Sequence, residues 1–161
     1  MTQLEIERKF ILRIPSFLKD LEHVDMVQIY LKSDRGTRRV RMIKTDGGKQ
    51  YYFTHKIRNN DMSCLETERQ ISRDEYYLLL AEADEQRKPI SKTRYYYPYK
   101  GLTFEIDVYP FWKKQCVMEV ELESEDQQVE FPKELDILAE VTNDRMYKNA
   151  ALAVYIPEEM A

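Results

Sequence analysis

The stretch QLEIERKFIL, residues 3–12, decides how the chain folds because its charged and apolar side chains alternate. Successive side chains of a β-strand point to opposite faces, so Glu5, Glu7 and Lys9 share one face of the predicted strand. Two carboxylates and an ammonium group in a row do not build a hydrophobic core. They are well suited to hold a divalent cation beside an anion. The stretch therefore predicts a strand whose charged face has a chemical function.

Seven further segments have the pattern of strands, with β-branched and aromatic residues between turn signals. They are residues 26–33, 37–44, 49–57, 64–72, 90–97, 102–109 and 115–123. Turn signals at Asp46-Gly47-Gly48 and at Lys100-Gly101 predict hairpins between neighbouring strands. The strands therefore dominate the chain, and many of them are expected to pair antiparallel.

Helical signals are fewer and shorter than strand signals. The capping box at residues 72–75 predicts a helix that ends at about Gln86. A short helix or turn is expected from Pro15 to about Leu21, another short helix from Pro132, and a last helix from Thr142 or Asn143 to about Val154. The sequence therefore predicts an α+β chain.

The charged positions of the predicted strands sort by sign. Each strand carries ions on one face and mostly apolar side chains on the other. The charged positions that share a face are Glu5/Glu7, Arg39/Arg41, Glu66/Glu68, Lys92/Arg94, Glu105/Asp107 and Glu119/Glu121, with Lys56 beside Thr54. A sandwich with a solvated outer face would explain any single strand. The whole series favours a barrel with a charged interior and apolar outer faces that the helices partly cover.

Like charges two residues apart on one face repel unless an ion of opposite charge lies between them. Carboxylates without neighbouring His or Cys favour a hard ion, Mg²⁺ or Mn²⁺. The cations suit a polyphosphate, because arginine offers paired donors to phosphate oxygens and lysine offers a compact charge. This basic set consists of Arg39, Arg41, Lys56, Lys92 and Arg94. The sequence has no Gly-rich phosphate loop, so the strands themselves would hold the phosphates.

Composition narrows the class of protein. The 161 residues fit a single domain, residues 1–161, and the net charge of −4 argues against a nucleic-acid partner. Two distant cysteines, Cys64 and Cys116, are expected to be free thiols in a cytoplasmic protein. The sequence has no signal peptide and no long apolar run, so we expect no membrane partner. A homodimer is compatible with the sequence, although no residue specifies one.

The ordered series of motifs resembles one known family. Glu5-x-Glu7-x-Lys9 is similar to the ExExK signature of the CYTH superfamily, the triphosphate tunnel metalloenzymes. The resemblance continues through Tyr30-Leu31, Arg39-x-Arg41, Thr54-His55-Lys56, Glu66-x-Glu68, Lys92-Thr93-Arg94, Glu105-Ile106-Asp107-Val108, Glu119-Val120-Glu121, Val141-Thr142-Asn143-Asp144 and Tyr147-Lys148-Asn149. ExExK alone is a weak signal, whereas the whole series is specific. The short chain is most similar to the compact bacterial branch that hydrolyses inorganic tripolyphosphate.

The resemblance implies an eight-stranded antiparallel closed β-barrel, a tunnel that binds triphosphate along its axis, in a metal-dependent triphosphatase. It implies metal ligation by Glu5, Glu7, Glu119 and Glu121, with Asp107, Glu66 and Glu68 contributing directly or through water. It implies phosphate binding by Lys9, Arg39, Arg41, Lys56, Lys92 and Arg94. The catalytic set that it implies is Lys9, Tyr30, Glu7, Glu66 and Glu68, in which Lys9 and Tyr30 form a pair that tunes the pH dependence.

Other functions stay open at this point. A class IV adenylate cyclase would convert ATP to cyclic AMP and pyrophosphate in the same tunnel. A thiamine triphosphatase could stack a ring of its substrate on Trp112, although a packing role is more usual for such a residue. A binding module would capture polyphosphate without turnover, but the acidic ligands argue against capture alone. Arg145 and Lys148 are expected on a solvated face of the last helix.

Overall fold

The computed structural model describes residues 2–161, and Met1, which the predicted domain includes, lies outside the described residues. Eight strands form a barrel. They are β1 (Thr2–Arg13), β2 (Glu22–Leu31), β3 (Thr37–Thr45), β4 (Gly48–Arg58), β5 (Ser63–Ile71), β6 (Ile90–Tyr99), β7 (Leu102–Val108) and β8 (Gln115–Leu122). Around the barrel the order is β1, β5, β4, β3, β2, β6, β7 and β8, and β8 pairs again with β1.

Strand β1 closes the barrel because its 12 residues are long enough to pair with two strands at once. Residues Thr2–Ile6 pair with β5, and residues Ile6–Arg13 pair with β8. Every pairing between barrel strands is antiparallel. The predicted eight-stranded antiparallel closed barrel is therefore confirmed.

A ninth strand, β9 (Ile137–Glu140), was not predicted. It pairs with β1 at Phe10–Leu12, on the edge that β5 no longer occupies. An unpaired strand edge exposes backbone donors and acceptors, and β9 covers them. The short helix predicted from Pro132 is wrong, because residues 133–134 form only a turn before the chain extends into β9. Leu135 packs instead in the apolar cluster outside β1 and β8.

The helix after β5 begins as predicted and ends early. The Ser72 hydroxyl accepts a hydrogen bond from the Glu75 amide at 3.1 Å, so the expected N-cap is present. The helix α1 (Arg73–Leu79) continues only as a 3-10 turn to Glu82, not to Gln86. The chain then leaves the helix because Ala83 bridges to Leu31 at the end of β2, and the Asp84 amide donates to the Tyr30 carbonyl at 3.0 Å.

The other helices are also shorter than predicted. The helix expected near Pro15 is one 3-10 turn at Leu18–Asp20, and β2 starts directly after it. The last helix is broken in two, a 3-10 turn at Arg145–Tyr147 and the helix α2 (Asn149–Leu152). The residue between them, Lys148, is extended, with ψ of 143°. This break turns Lys148 away from a continuous helix face.

Three apolar clusters surround or close the barrel. One lies outside β1, β7 and β8 and includes Phe10, Phe104 and Met118. A second lies between α1 and the outer faces of β2–β5 and includes Val40 and Tyr76. The third cluster contains Ile11, Tyr109, Trp112, Val117, Tyr147 and Leu152. Because Ile11 and Val117 have the same strand parity as Lys9 and Glu119, this third cluster closes one end of the barrel interior.

The structure defines the state of the two cysteines and the length of the helices. Cys64 and Cys116 are both free and buried, as expected. Within residues 2–161, the helices are too short and too polar to cross a bilayer.

The turn from β2 to β3 depends on Gly36. Its φ of +68° lies in the left-handed region, and a Cβ atom there would lie 2.1 Å from the carbonyl oxygen of Lys56. The turn therefore needs both the conformational freedom of glycine and the absence of a side chain. This contact keeps the loop close to the strand that carries Lys56.

We expect Gly36→Ala to lower the free energy of unfolding by about 1–3 kcal/mol, because it adds backbone strain and a clash. Chemical denaturation of the variant and the wild type would measure the change. The control is Gly47→Ala, where the nearest atom to an added Cβ is 3.7 Å away. Equal losses for the two variants would contradict the proposed packing of the turn.

Candidate active site

A cavity of about 740 Å³ occupies the barrel interior. Side chains from all eight barrel strands line it, and most of those side chains are charged. The predicted site residues on its wall are Glu5, Glu7, Lys9, Tyr30, Arg39, Arg41, Lys56, Glu66, Glu68, Arg94, Glu119 and Glu121. The strands therefore bring these residues together at one site, although they come from every third of the chain.

The acidic side chains converge where β1 meets β8. The antiparallel register places Glu7 directly opposite Glu121 and Lys9 directly opposite Glu119. On the other side of β8, Glu119 lies opposite Glu105 of β7. Like charges at directly opposite positions destabilise a sheet. This wall of the cavity, which we call the acidic wall, therefore carries an excess of negative charge.

Two lysines partly neutralise the acidic wall. The Lys9 Nζ lies 3.4 Å from the Glu119 carboxylate and donates to the Tyr147 carbonyl at 3.2 Å. The Lys56 Nζ lies 2.9 Å from Glu5 and 3.4 Å from Glu66. These contacts leave Glu7 and Glu121 without a salt bridge among the described residues. The acidic wall thus contains both paired and unpaired carboxylates.

The charges of the acidic wall strongly affect one another. Burial and, after it, the neighbouring charge of Glu119 together raise the pKa of Glu7 to about 8. Burial also raises the pKa of Glu119, but Lys9, the contact with Glu7 and Arg94 together hold that pKa well below its usual value. Glu7 and Glu119 therefore share one negative charge at neutral pH.

The basic wall lies across the cavity, three strands away from β1. Arg39 and Arg41 point inward from β3, and both are buried. The Nε of Arg39 has no hydrogen-bond partner among residues 2–161. Burial and, after it, the neighbouring charges of Arg39 and Arg94 together lower the pKa of Arg41 to about 10. Crowded, buried guanidinium groups with a free donor are suited to bind an anion.

Lys92 and Asp107 lie on the same inward face of the sheet as Arg94 but do not line the cavity. The exposed fraction is 0% for the Lys92 side chain and 1% for Asp107. Asp107 accepts two hydrogen bonds from Arg94, at 2.8 and 2.9 Å, and one from the Lys92 Nζ at 2.7 Å. Burial would raise the pKa of Asp107, but Arg94 and Lys92 lower it to about 2. Asp107 therefore holds the Arg94 guanidinium group in place.

Some cations on the cavity wall were not among the predicted site residues. Arg58 follows Lys56 with the same strand parity, so the alternation could have identified it. Arg87 lies in the irregular segment before β6, where the sequence has no periodic signal. Both contribute positive charge to the cavity and enlarge the predicted basic set.

The expectation for Lys148 is wrong, because this residue lies half-buried on the cavity wall. Burial and, after it, the charges of Lys9 and Arg58 together lower the pKa of Lys148 to about 8. Its Nζ donates to the Asp61 carbonyl at 3.2 Å, and the exposed Arg145 pairs with the Asp61 carboxylate at 3.3 Å. The sequence missed Lys148 because its position depends on the break in the last helix.

The two aromatic residues with predicted roles, Trp112 and Tyr30, lie in the cluster that closes one end of the barrel. Trp112 is buried in the cluster that closes the barrel end, and its Nε1 donates to the Pro157 carbonyl at 2.9 Å. Trp112 therefore packs and is not available to stack a substrate ring. Tyr30 belongs to the same cluster and also reaches the cavity wall. Its hydroxyl accepts from Gln28, and no hydrogen bond joins it to Lys9 among residues 2–161.

Residues 3–147 match the model of the CYTH domain family. The chain belongs to this family. An inorganic triphosphatase of Nitrosomonas europaea is 33% identical over 156 residues, which cover 95% of this chain and 99% of that protein. A crystal structure of an inorganic triphosphatase has 33% sequence identity and a TM-score of 0.59, and covers 96% of this chain and 97% of that one. The predicted family is therefore confirmed.

A more distant similarity concerns the fold alone. The crystal structure of a putative adenylate cyclase from Bacillus halodurans has a TM-score of 0.55 and 19% identity. The match covers 77% of this chain and 83% of that one. The barrel is thus shared by proteins whose sequences differ widely.

We expect Asp107→Asn to lower the free energy of unfolding by about 3 kcal/mol at neutral pH, because the buried Lys92 would lose its ion-pair partner and Arg94 would keep only Glu105. Chemical denaturation would measure the loss. The exposed pair Arg13–Asp136 offers a control, since Asp136→Asn should change stability by less than about 1 kcal/mol.

The loss in Asp107→Asn should also depend on pH. The pKa of Asp107 is lower in the folded protein than in the unfolded chain, so its contribution is present above the unfolded value and is lost as the pH falls towards 2. The stability difference between wild type and Asp107→Asn should therefore shrink in acid. A difference that stays constant from neutral pH to pH 2 would contradict the assignment.

Proposed function

We propose that this protein hydrolyses a linear triphosphate, most favourably inorganic tripolyphosphate, with a divalent metal ion. One observation carries the proposal: the same cavity inside the barrel has carboxylates on the wall formed by β1 and β8 and guanidinium groups on the wall formed by β3. Such a cavity can hold a metal on one side of a phosphate chain and neutralise the phosphates from the other side. The 33% identity to an inorganic triphosphatase over nearly the whole chain supports the same function.

The acidic wall fits a hard divalent ion, Mg²⁺ or Mn²⁺. Carboxylate oxygens are the donors that these ions prefer, and opposed carboxylates such as Glu7 and Glu121 are relieved by a cation between them. No three acidic, His or Cys side chains of residues 2–161 form a ready-made metal cage. Binding would therefore draw the carboxylates together, in competition with Lys9 and Lys56. The residues that would hold the ion are Glu5, Glu7, Glu119 and Glu121.

The bound ion would polarise a phosphoryl oxygen, and the residues of the chain would do the rest. Arg39, Arg41 and Arg94, with Lys9 and Lys56, would bind the phosphates and neutralise charge that develops on them. Glu66 or Glu68 on β5 would accept the proton of the water that attacks a terminal phosphorus, and the bond from that phosphorus to the bridging oxygen would break to release phosphate and pyrophosphate. The buried Lys92 and Asp107, which we predicted to bind phosphate and metal, are better suited to position Arg94.

The shape of the cavity favours a small substrate over a nucleotide. The apolar cluster around Tyr109 and Leu152 closes one end of the interior, and Trp112 packs inside that cluster. Tyr30 is the aromatic residue on the cavity wall among residues 2–161, and its ring is buried. An adenine or thiamine ring would thus lack a stacking surface, which argues against the cyclase and thiamine triphosphatase alternatives.

We also propose that residues 1–161 act as one domain in the cytoplasm. The match to the family model over residues 3–147 supports a single functional unit. The two free buried thiols are compatible with a reducing compartment.

The test is phosphate release from tripolyphosphate, ATP, thiamine triphosphate and pyrophosphate, each with Mg²⁺, Mn²⁺ or a chelator. We expect rapid, metal-dependent release from tripolyphosphate and slow release from ATP. Cyclic AMP and pyrophosphate formed from ATP, with tripolyphosphate inert, would instead identify a cyclase. Tight binding of tripolyphosphate without turnover would identify a binding module.

We expect Glu7→Gln to reduce kcat for tripolyphosphate by about a hundredfold or more, since it removes a metal ligand from the acidic wall. Its melting temperature should change little, because the raised pKa of Glu7 keeps it mostly protonated at neutral pH and a neutral amide of similar size replaces it. Glu22→Gln, at an exposed position of β2, is the matched control and should keep full activity. Full activity in Glu7→Gln would contradict the metal assignment.

We expect Lys148→Met to raise KM for tripolyphosphate roughly tenfold, because a charge-assisted contact to phosphate would be lost. The change in kcat should be smaller, since an ammonium group next to Lys9 and Arg58 can bind phosphate but cannot hold the metal ion. Steady-state kinetics at several metal concentrations would separate the two constants. Lys49→Met, at an exposed position, provides the control, and an unchanged KM in Lys148→Met would remove this residue from the site.

A further inference from the structure

Gln28 is a fully buried polar residue in the middle of the charged barrel interior. Its exposed fraction is 0%, and it points inward from β2, directly opposite Arg41 of β3. Tyr30 lies two residues further along the same face of β2. A buried amide must satisfy its donors and acceptors, so its partners define its orientation.

The orientation of the Gln28 amide is fixed by Arg41. The Nε and Nη2 of Arg41 lie 3.3 and 3.0 Å from the Gln28 Oε1. A guanidinium group has donors only, so the oxygen of the amide must face Arg41 and the nitrogen must face the other way. The Gln28 Nε2 then donates to the Tyr30 hydroxyl oxygen at 3.0 Å. If the amide were turned round, its NH₂ group would face the N–H donors of Arg41, and neither group could accept a hydrogen bond.

This amide in turn fixes the Tyr30 hydroxyl. Its oxygen accepts from Gln28, so its proton cannot point towards the same NH₂ group. Arg39 lies directly opposite Tyr30 on β3, and the Arg87 guanidinium lies 5.8 Å from the centre of the Tyr30 ring. Neither can accept the hydroxyl proton, because a guanidinium group has donors only. Among residues 2–161 the hydroxyl donates no hydrogen bond. Since Tyr30 reaches the cavity wall, its proton is free to point into the cavity.

We propose that Gln28 is a positioning residue that holds Arg41 and turns the Tyr30 hydroxyl proton towards the bound phosphate chain. The hydroxyl then donates to a non-bridging oxygen of a linear polyphosphate, next to Arg41. The proposal rests on the proposed function for the nature of the ligand. It assigns Tyr30 a partner other than Lys9, whose ammonium group is engaged with Glu119 and the Tyr147 carbonyl.

Gln28→Glu separates the two tasks of this residue. The carboxylate has almost the same size as the amide and, beside Arg41, is ionised, so it keeps the contact with the guanidinium group. Its second oxygen accepts rather than donates, so the Tyr30 proton turns to it and away from the cavity. Tyr30→Phe removes the hydroxyl, and the double variant shows whether Gln28 acts through Tyr30.

The first readout is the dissociation constant of tripolyphosphate, measured by calorimetry in the presence of a chelator. We expect Tyr30→Phe to weaken binding roughly 10- to 100-fold, the effect of one hydrogen bond to a charged group. Gln28→Glu should weaken it further, because it also adds a negative charge. In the Tyr30→Phe background, Gln28→Glu should cost at least about tenfold less than it costs in the wild type.

The same cycle measured as kcat and KM provides the second readout. Effects of Gln28→Glu and Tyr30→Phe that simply multiply, in binding and in turnover, would overturn the proposal. Gln128→Glu, in the exposed loop after β8, is the matched control for an added charge and should leave both readouts unchanged. If Gln28→Glu fails to fold, Gln28→Met replaces it in the same cycle, and its cost should again be smaller in the Tyr30→Phe background, where the hydroxyl that it leaves without orientation is absent.

The two readouts also separate this proposal from the proposed function. A wild-type protein that binds tripolyphosphate but releases no phosphate would refute hydrolysis, while the binding cycle would still decide the role of Gln28. A wild type that hydrolyses tripolyphosphate, with multiplicative effects in the cycle, would refute the role of Gln28 alone.

Discussion

The closure of β1 onto both β5 and β8 is the constraint on which the rest of the structure depends. Closure turns the charged faces of eight strands inward, where water is scarce and an unpaired charge is costly. Each ion must then find a partner within the chain or in a ligand. Lys9 and Lys56 supply partners for some carboxylates, but the antiparallel register still sets Glu7 against Glu121. A barrel built in this way is suited to bind a ligand that itself combines cations and anions.

The interior charges have two kinds of support. Asp107 holds Arg94, and the neutral amide of Gln28 holds Arg41. Neither supporting residue needs to touch a ligand, yet each fixes the direction of a guanidinium group that we propose to bind phosphate. The apolar residues do the complementary work, since two clusters cover the outside of the barrel and a third closes one end. The guanidinium groups are therefore held in place where phosphate is expected, whereas Glu7 and Glu121 form no salt bridge within residues 2–161.

Strand alternation predicted the barrel and most of its inward residues because a period of two is a local property of the sequence. Arg39, Arg41, Glu119 and Glu121 were identified in this way. What the sequence did not predict depends on contacts between distant segments. The strand β9 forms because β1 has an open edge, the helix α1 ends where Ala83 meets Leu31, and Lys148 lines the cavity because the last helix breaks beside it. Gln28 was missed for another reason: it carries no charge, and only its position between Arg41 and Tyr30 reveals its role.

The division of the cavity into an acidic and a basic wall is the central claim, and a crystal structure with Mn²⁺ and tripolyphosphate would test it most directly. Anomalous scattering would locate the metal independently of the phosphates. We expect the Mn²⁺ between the carboxylates of Glu7 and Glu121, and the phosphate chain against Arg39, Arg41 and Arg94. A metal bound away from β1 and β8, or phosphates that lie outside the barrel, would contradict this account.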